Sequence, residues 1–376
     1  MIYLDNAATT KPKQSALSRA QQFLTERFYN PSAMYREGFA IQGEIKRARS
    51  ALLSPVCSVQ DFELVFTSCG TEADNQAIFS FAKRGNAVTT QGEHSAVYAS
   101  FTELKNRGMI EARYTPLRGD GSVDVDKLLG LIDEKTSFVS VIHVNNETGA
   151  LNDINAIAAK VKKKAPRAIF HSDGVQAYGK VPFKLSKDVD LYSISAHKIG
   201  GLKGVGALIK RKSLVLPPYI IGGGQESGRR SGTENVFGIK QFEYAAEEKF
   251  STIRQDWERL KGLQSLLLEG LDPQIFMPIS TEKGSPYVTS LIAKGLRGEI
   301  LLHTLNDNEV IVGTGSACSS NAKHRYSRVI LASGYTEKEA DGVLRISFCD
   351  ETTKAEVEEA VAIINKCAKD LRDRMK

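Results

Sequence analysis

The 376-residue chain is 41% hydrophobic and 25% charged, an ordinary balance for a folded globular protein and enough length for two domains. Its 50 basic and 44 acidic residues leave +6, with no block of five like charges, so a dedicated nucleic-acid binder is not indicated and no direct nucleic-acid partner is expected. No apolar run approaches the roughly 18 residues of a membrane span. The start, Met-Ile-Tyr-Leu-Asp-Asn, has neither the basic region nor the apolar core of a signal peptide. Cysteines stand at 57, 69, 318, 349 and 367 with no Cys-x-x-Cys pair, which argues against a disulfide framework or a metal site and for a reducing compartment. A soluble, cytoplasmic protein is expected, with no membrane partner.

Leu4-Asp-Asn-Ala-Ala-Thr-Thr10 reads as a turn-forming segment. Residues 13–28 and 37–54 carry apolar residues at helical spacing, separated by the Asn30-Pro-Ser32 turn. A β/α alternation follows. Phe62–Phe66 predicts a strand and Thr67–Asn75 the opening of a helix. Strands are predicted at 87–90, 138–143, 168–172, 189–195 and 205–210, with helices at 95–107 and 153–164. Lys160–Lys164 reads as the solvated end of the latter helix. The alternation argues for an α/β fold with a largely parallel sheet covered on both faces. Beyond Gly222-Gly-Gly224 the pattern changes to a long amphipathic helix over about 234–270, which carries Trp257, and then to shorter elements. These are strands at 287–293, 309–312 and 344–348 and helices at 298–306, 325–332 and 354–374. The reading gives a large domain over residues 15–250 and a small α+β domain made of 1–14 and 251–376.

The chemistry-bearing residues sit where predicted strands end, which is where ligands bind in open parallel sheets. Strand 189–195 delivers Lys198 into a loop with Gly200 and Gly201. A solvated loop lysine would be unremarkable, but desolvation lowers a lysine's pKa, and a neutral amine forms a Schiff base with an aldehyde. Ser195 and His197 beside it are suited to donate to a phosphate, so pyridoxal phosphate is the expected cofactor. Gly70 and Thr71 open a helix whose amides and dipole favour an anion, although simple capping accounts for the same residues. Asp173 ends a strand where a carboxylate can pair with a pyridinium nitrogen, and Gln176 is placed to donate to a phenolic oxygen. His94 stands where an imidazole can stack on the ring and move protons; alone it would read as a structural histidine. Asn146 is a further polar group at a strand end.

Together these stretches resemble the cysteine desulfurases of the NifS/IscS type, in the class V group of the fold-type I pyridoxal-phosphate enzymes. The matching segments are Tyr3–Thr10, Asn30-Pro-Ser32, Phe66–Asn75, Glu93-His94, His143–Glu147, His171–Gln176, Ser195-Ala-His-Lys198, Gly222–Thr233 and Gly315–Ser319, and the likeness spans nearly the whole chain. The resemblance implies a large domain on a mainly parallel seven-stranded sheet plus a small α+β C-terminal domain. It implies that Lys198 carries the cofactor, that His94 stacks on its ring, that Asp173 and Gln176 meet its nitrogen and oxygen, and that Thr71, Ser195 and His197 hold its phosphate. Thr233 is similar to the residue that reaches the phosphate from a second subunit, which implies a homodimer with shared sites. Arg345 matches the arginine that grips the substrate carboxylate, a role suited to its planar fork.

Cys318 helps to decide among the reactions such a scaffold permits. It lies in Gly313-Thr-Gly-Ser-Ala-Cys-Ser-Ser-Asn321, whose small and turn-forming residues predict an exposed, mobile loop rather than the buried setting usual for free cysteine. The expected activity is removal of sulfur from L-cysteine, giving L-alanine and a persulfide on Cys318. That sulfur would pass to an acceptor protein for iron–sulfur cluster assembly, tRNA thiolation or thio-cofactor synthesis. Selenocysteine lyase, a class V aminotransferase and a non-catalytic binding partner are the rival expectations. Three departures from the family pattern stand out. Tyr35 follows the Asn-Pro-Ser turn where histidine is frequent, and Gly174 replaces a common alanine, expected to matter little. Cys349-Asp350 replaces a more usual Gly-Arg and is expected to leave less positive charge near the site. The chain ends at Lys376 without the tail some members use to dock a scaffold, so a tRNA-thiolating or cofactor-synthesis acceptor is expected as readily as a cluster scaffold.

Overall fold

β-Branched and aromatic runs become strands because such side chains pack well on a pleated, half-buried surface. The computed structural model describes residues 1–314 and 326–374. Its strands are β1 (Ile2–Tyr3), β2 (Phe62–Thr67), β3 (Asn86–Thr90), β4 (Glu111–Thr115), β5 (Thr136–Ser140) and β6 (Ile169–Asp173), then β7 (Leu191–Ser195), β8 (Gly206–Arg211), β9 (Phe276–Pro278), β10 (Val288–Ala293), β11 (Val310–Ile311) and β12 (Val343–Ser347). Seven of them form one sheet in the order β2-β8-β7-β6-β5-β3-β4. From β7 to β4 every pairing is parallel, while β8 is antiparallel to both β2 and β7. Two antiparallel pairings restore direction, so β2 ends at the same edge as β3, β5, β6 and β7. That single edge receives nearly every candidate residue of the site.

Successive side chains on a strand point to opposite faces. Leu64 and Phe66 therefore join one core with Val139, Phe170 and Ile194, and Val65 joins another with Ala87, Phe138 and Leu191. Helices Gly70–Phe81 and Ser95–Asn106 lie over the second core, and Arg36–Leu53 and Ile154–Lys164 over the first. A further core surrounds β10 and β12, where Leu291, Leu344 and Ile346 pack with Ile2, Leu4 and Val310, so the N-terminal segment folds back onto the C-terminal part of the chain. β1 pairs with β11 there. Helix Val236–Gly270 runs unbroken through the expected boundary at residue 250. Ile239, Phe242 and Ala246 at its start belong to the first core, and Leu260, Leu263 and Leu267 to the last. We propose that this helix joins the two expected domains, since it contributes to both cores.

Several elements differ from the expectation. β4 lies outside the expected strands: Glu-Ala-Arg-Tyr-Thr alternates polar and apolar residues, but its apolar side is only Ala112 and Tyr114 on a half-exposed edge strand, too short a pattern to stand out. Helix 13–28 is in fact two short helices, Gln14–Ala20 and Gln22–Thr25. The strand expected over 138–143 ends at Ser140, beyond which the Ile142 amide donates to the buried Glu93 carboxylate at 2.9 Å.

Asp350, the unusual residue after β12, ties the middle of helix Val236–Gly270 to the start of helix Gln14–Ala20. Its carboxylate accepts from Lys13 at 2.7 Å and from Lys249, which is 2% exposed, at 3.0 Å. Burial alone would raise Asp350, but Lys249 and Lys13 hold it down to about 2. The residue therefore neutralises two lysines rather than merely omitting a positive charge. Asp350→Ala is expected to lower unfolding free energy by about 3 kcal/mol, since removing one partner strands a buried charge. A group depressed in the folded state stabilises above its unfolded pKa. The difference between the two proteins should thus be full at neutral pH and vanish as pH falls from about 4 towards about 2. Urea unfolding at several pH values measures it; equal stability at neutral pH would refute the assignment.

Candidate active site

A cavity opens at the shared strand edge. It is lined by Gly70 and Thr71 after β2, His94 after β3, Asn146 after β5, Asp173 and Gln176 at and after β6, and Ser195, His197 and Lys198 at and after β7. Arg345 of β12 closes it from the side of the last core. Ala7, Ala8, Cys69 and Asp74 also line it; all four lie in segments that carry the resemblance, but the sequence alone assigns none of them a role at the site. Thr233 does not: it lines a separate hollow with Ser68, Arg230 and Asn235. Cys318 lies outside the described residues.

Lys198 ends a single turn, Ala196–Lys198, and its Nζ donates to the carbonyls of Ala7 at 2.6 Å and Ala8 at 2.8 Å. Gly200 and Gly201 are glycines because the shape of the loop requires them. Gly200 has φ +83°, and a Cβ on Gly201 would lie 2.6 Å from that of Ala196. Ser195 Oγ is buried without a hydrogen-bond partner among the described residues. His197 is half-buried and hydrogen-bonded to Thr9; burial, then Lys198 and Lys180, lower it to about 4, so its ring is neutral.

His94 caps helix Ser95–Asn106, its Nδ1 accepting from the Ala96 amide at 3.2 Å. An N–H donor leaves Nδ1 unprotonated, so the single ring proton resides on Nε2. Burial lowers the His94 pKa; Asp173 opposes that, while Lys198 and Arg328 reinforce it. Arg328, a residue with no sequence signal, donates to the carbonyls of Gln91 and Glu93 and lies 3.8 Å over the Tyr98 ring, clamping the turn that presents His94.

Asp173 Oδ1 accepts from the Val175 amide at 2.9 Å. Burial, then the neighbouring Asp74, raise Asp173 to about 6, while His94 and His171 pull it back. Asp74, one turn into the helix after Gly70, is 1% exposed. Its Oδ1 has no hydrogen bond among the described residues and stands 3.5 Å from His171 Nε2, and burial pushes its pKa to about 7. Ligand atoms of Asp74, His94 and Asp173 lie within 4.8 Å of one another. The folded protein binds the Asp74 proton more tightly than the unfolded chain, so this group weakens stability as pH rises from its unfolded value towards about 7. Asp74→Asn is accordingly expected to melt progressively higher relative to the parent between about pH 4 and pH 7, the difference levelling off above that, read by thermal scans without added cofactor. A pH-independent difference would show that Asp74 does not titrate in this window.

Gly174 also departs from expectation. A Cβ there would sit 1.9 Å from Tyr192 Cζ, and Tyr192 is buried with its hydroxyl 2.8 Å from His143 Nδ1. Tyr192 has taken the space an alanine would use, so this glycine matters. At Arg345, Nη1 donates to the Asn146 carbonyl at 2.9 Å and Nη2 to Asp5 at 2.8 Å, while the buried Nε has no partner among the described residues.

The orphaned Ser195 hydroxyl beside the helix that starts at Gly70 fits a phosphate. A buried carboxylate, a neutral imidazole, an amide and a lysine fit a pyridine aldehyde. Fold and cavity together define a pyridoxal-phosphate enzyme of fold type I. The chain belongs to the aminotransferase class V family, whose model matches residues 2–360. It is 34% identical to a cysteine desulfurase of Trichormus azollae over 99% of this chain and 94% of that protein. Its backbone superposes on a NifS-like protein at TM-score 0.90 and 32% identity, covering 98% and 99% of the two chains. A structure described as SspA in complex with cysteine is similar at TM-score 0.80 and 25% identity, over 94% of this chain and all of that one. The family uses pyridoxal phosphate. Among the described residues no helix is long and apolar enough to cross a membrane.

Proposed function

We propose that this protein is a cysteine desulfurase, converting L-cysteine and its own Cys318 thiol to L-alanine and a Cys318 persulfide. The observation that carries the reading is one cavity in which Lys198, His94, Asp173, Gln176 and Arg345 converge, in a chain of a family with desulfurase relatives at 34% identity. Pyridoxal phosphate, when bound, supplies an aldehyde for the amino group and a ring that accepts electrons from the α-carbon. The Gly70 and Thr71 amides, the Ser195 hydroxyl and His197 would hold its phosphate. Asp173 would pair with the ring nitrogen, and Gln176 would donate to the ring oxygen. Arg345 takes the substrate carboxylate, its fork braced by Asn146 and Asp5. Lys198 Nζ removes the α-proton, and the proton on His94 Nε2 is available at the substrate sulfur. The Cys318 thiolate attacks that sulfur. An S–S bond forms, the substrate C–S bond breaks, and its electron pair stays with carbon, which is protonated to give alanine.

A homodimer belongs to the same reading. Thr233 lies away from the cavity of its own chain, and Phe28, Met34, Tyr35, Phe39 and Ile221 leave apolar side chains exposed, as a subunit interface would. The purified protein with L-cysteine and a reductant should release alanine and sulfide in equal amounts while staying yellow. Pyruvate or transamination products in their place would sink the desulfurase reading.

A further inference from the structure

Beneath the cavity lies a buried lysine that the proposed reaction does not use. Lys180 is 2% exposed and follows Gln176 by four residues. Its Nζ donates to Gln176 Oε1 at 2.9 Å, and Gln176 Nε2 donates to the Ala7 carbonyl at 2.8 Å. A carbonyl only accepts, so Ala7 identifies the nitrogen end of this amide, and the Lys180 N–H agrees at the other end. The same Ala7 carbonyl accepts from Lys198 Nζ at 2.6 Å. One short chain therefore runs from Lys180 through Gln176 and Ala7 to the reactive amine.

We infer that Lys180 is a positioning residue: it holds the Gln176 carbonyl oxygen away from the ligand, so that the amide offers N–H rather than C=O to the ring oxygen. The inference rests on the reading that pyridoxal phosphate occupies this cavity. The surroundings favour a donor role over a charge role. Burial first, and then Lys198 and Lys249, push the Lys180 pKa well below the ordinary lysine value, against Cys349 and Asp350; the Tyr287 ring lies 5.7 Å away. What Lys180 brings in either protonation state is an N–H for Oε1. Without it only the Ala7 carbonyl holds the amide in this orientation, and the flip that sets a lone pair against an electron-rich ring oxygen costs less.

A double-mutant cycle on pyridoxal phosphate affinity tests this, without using turnover. Lys180→Met is expected to weaken affinity about ten-fold, the effect of roughly one hydrogen bond, and to shift the absorbance of the bound cofactor. In a Gln176→Leu background the same substitution should change affinity less than about two-fold, because its target is gone. Lys180→Gln, which keeps an N–H donor, should restore most of the affinity, and it carries the test if the methionine variant does not fold. Equal weakening in both backgrounds, or no weakening in either, would overturn the proposal. A parent protein that takes up no pyridoxal phosphate would overturn the cofactor reading on which it stands.

Discussion

Lys198→Ala is expected to reduce turnover of L-cysteine by about 10⁴-fold or more, because one change removes both the amine that binds the aldehyde and the base at the α-carbon. The expectation comes from geometry. Nζ is held by two backbone carbonyls, Ala7 at 2.6 Å and Ala8 at 2.8 Å, at the end of a turn of fixed shape. No other lysine among the described residues lines the cavity, and Lys180 is committed to Gln176 behind the cavity floor. The fold should survive. Ala7 keeps its hydrogen bond from Gln176, and the lysine contributes to none of the hydrophobic cores. Borohydride reduction followed by mass measurement should fix the cofactor to the parent and not to the variant, while melting temperatures stay close. A variant that retained turnover within about ten-fold would remove Lys198 from the chemistry.

The parts of this site that could be read from sequence are those where an apolar strand is followed directly by a polar residue. Asp173 ends β6, Ser195 ends β7, and Lys198 follows three residues later, so a strand prediction accurate to a few residues was enough to place them at one edge. The helix after Gly70 was legible for the same reason. What could not be read are groups whose importance comes from burial. Asp74 lies within a helix, where a lone acidic residue looks like solvent-facing surface, yet it is 1% exposed and next to Asp173. Arg328 and Lys180 look like ordinary surface cations in the sequence; only tertiary packing turns one onto the His94 turn and the other beneath Gln176. Gly174 shows the opposite error, a departure judged neutral whose space is filled by a tyrosine distant in sequence. Periodicity reports which face is apolar and says nothing of what a distant segment later covers.

Cys318→Ala is expected to lower alanine production by about 10³-fold or more while leaving pyridoxal phosphate affinity within about two-fold, since the role proposed for Cys318 is to accept sulfur and not to hold the cofactor. The case for Cys318 rests on where its flanks are anchored. On one side, Gly313 exchanges backbone hydrogen bonds with Arg345 at 2.9 and 2.8 Å. On the other, the Ser327 hydroxyl donates to Glu147, and Arg328 to the carbonyls of Gln91 and Glu93. Both flanks thus start beside residues of the cavity wall, Arg345 on one side and His94 and Asn146 on the other. Cys69 is the rival thiol, because it lines the cavity itself. Its Sγ, however, accepts from the Glu72 amide at 3.4 Å as the cap of helix Gly70–Phe81. Cys69→Ala should therefore cost about 1 kcal/mol of stability and leave alanine production within a few-fold. Mass measurement after one turnover should find the added sulfur on the peptide containing Cys318. If Cys69→Ala abolished turnover and Cys318→Ala did not, the acceptor would be Cys69, and the segment after Gly313 would lose its catalytic assignment.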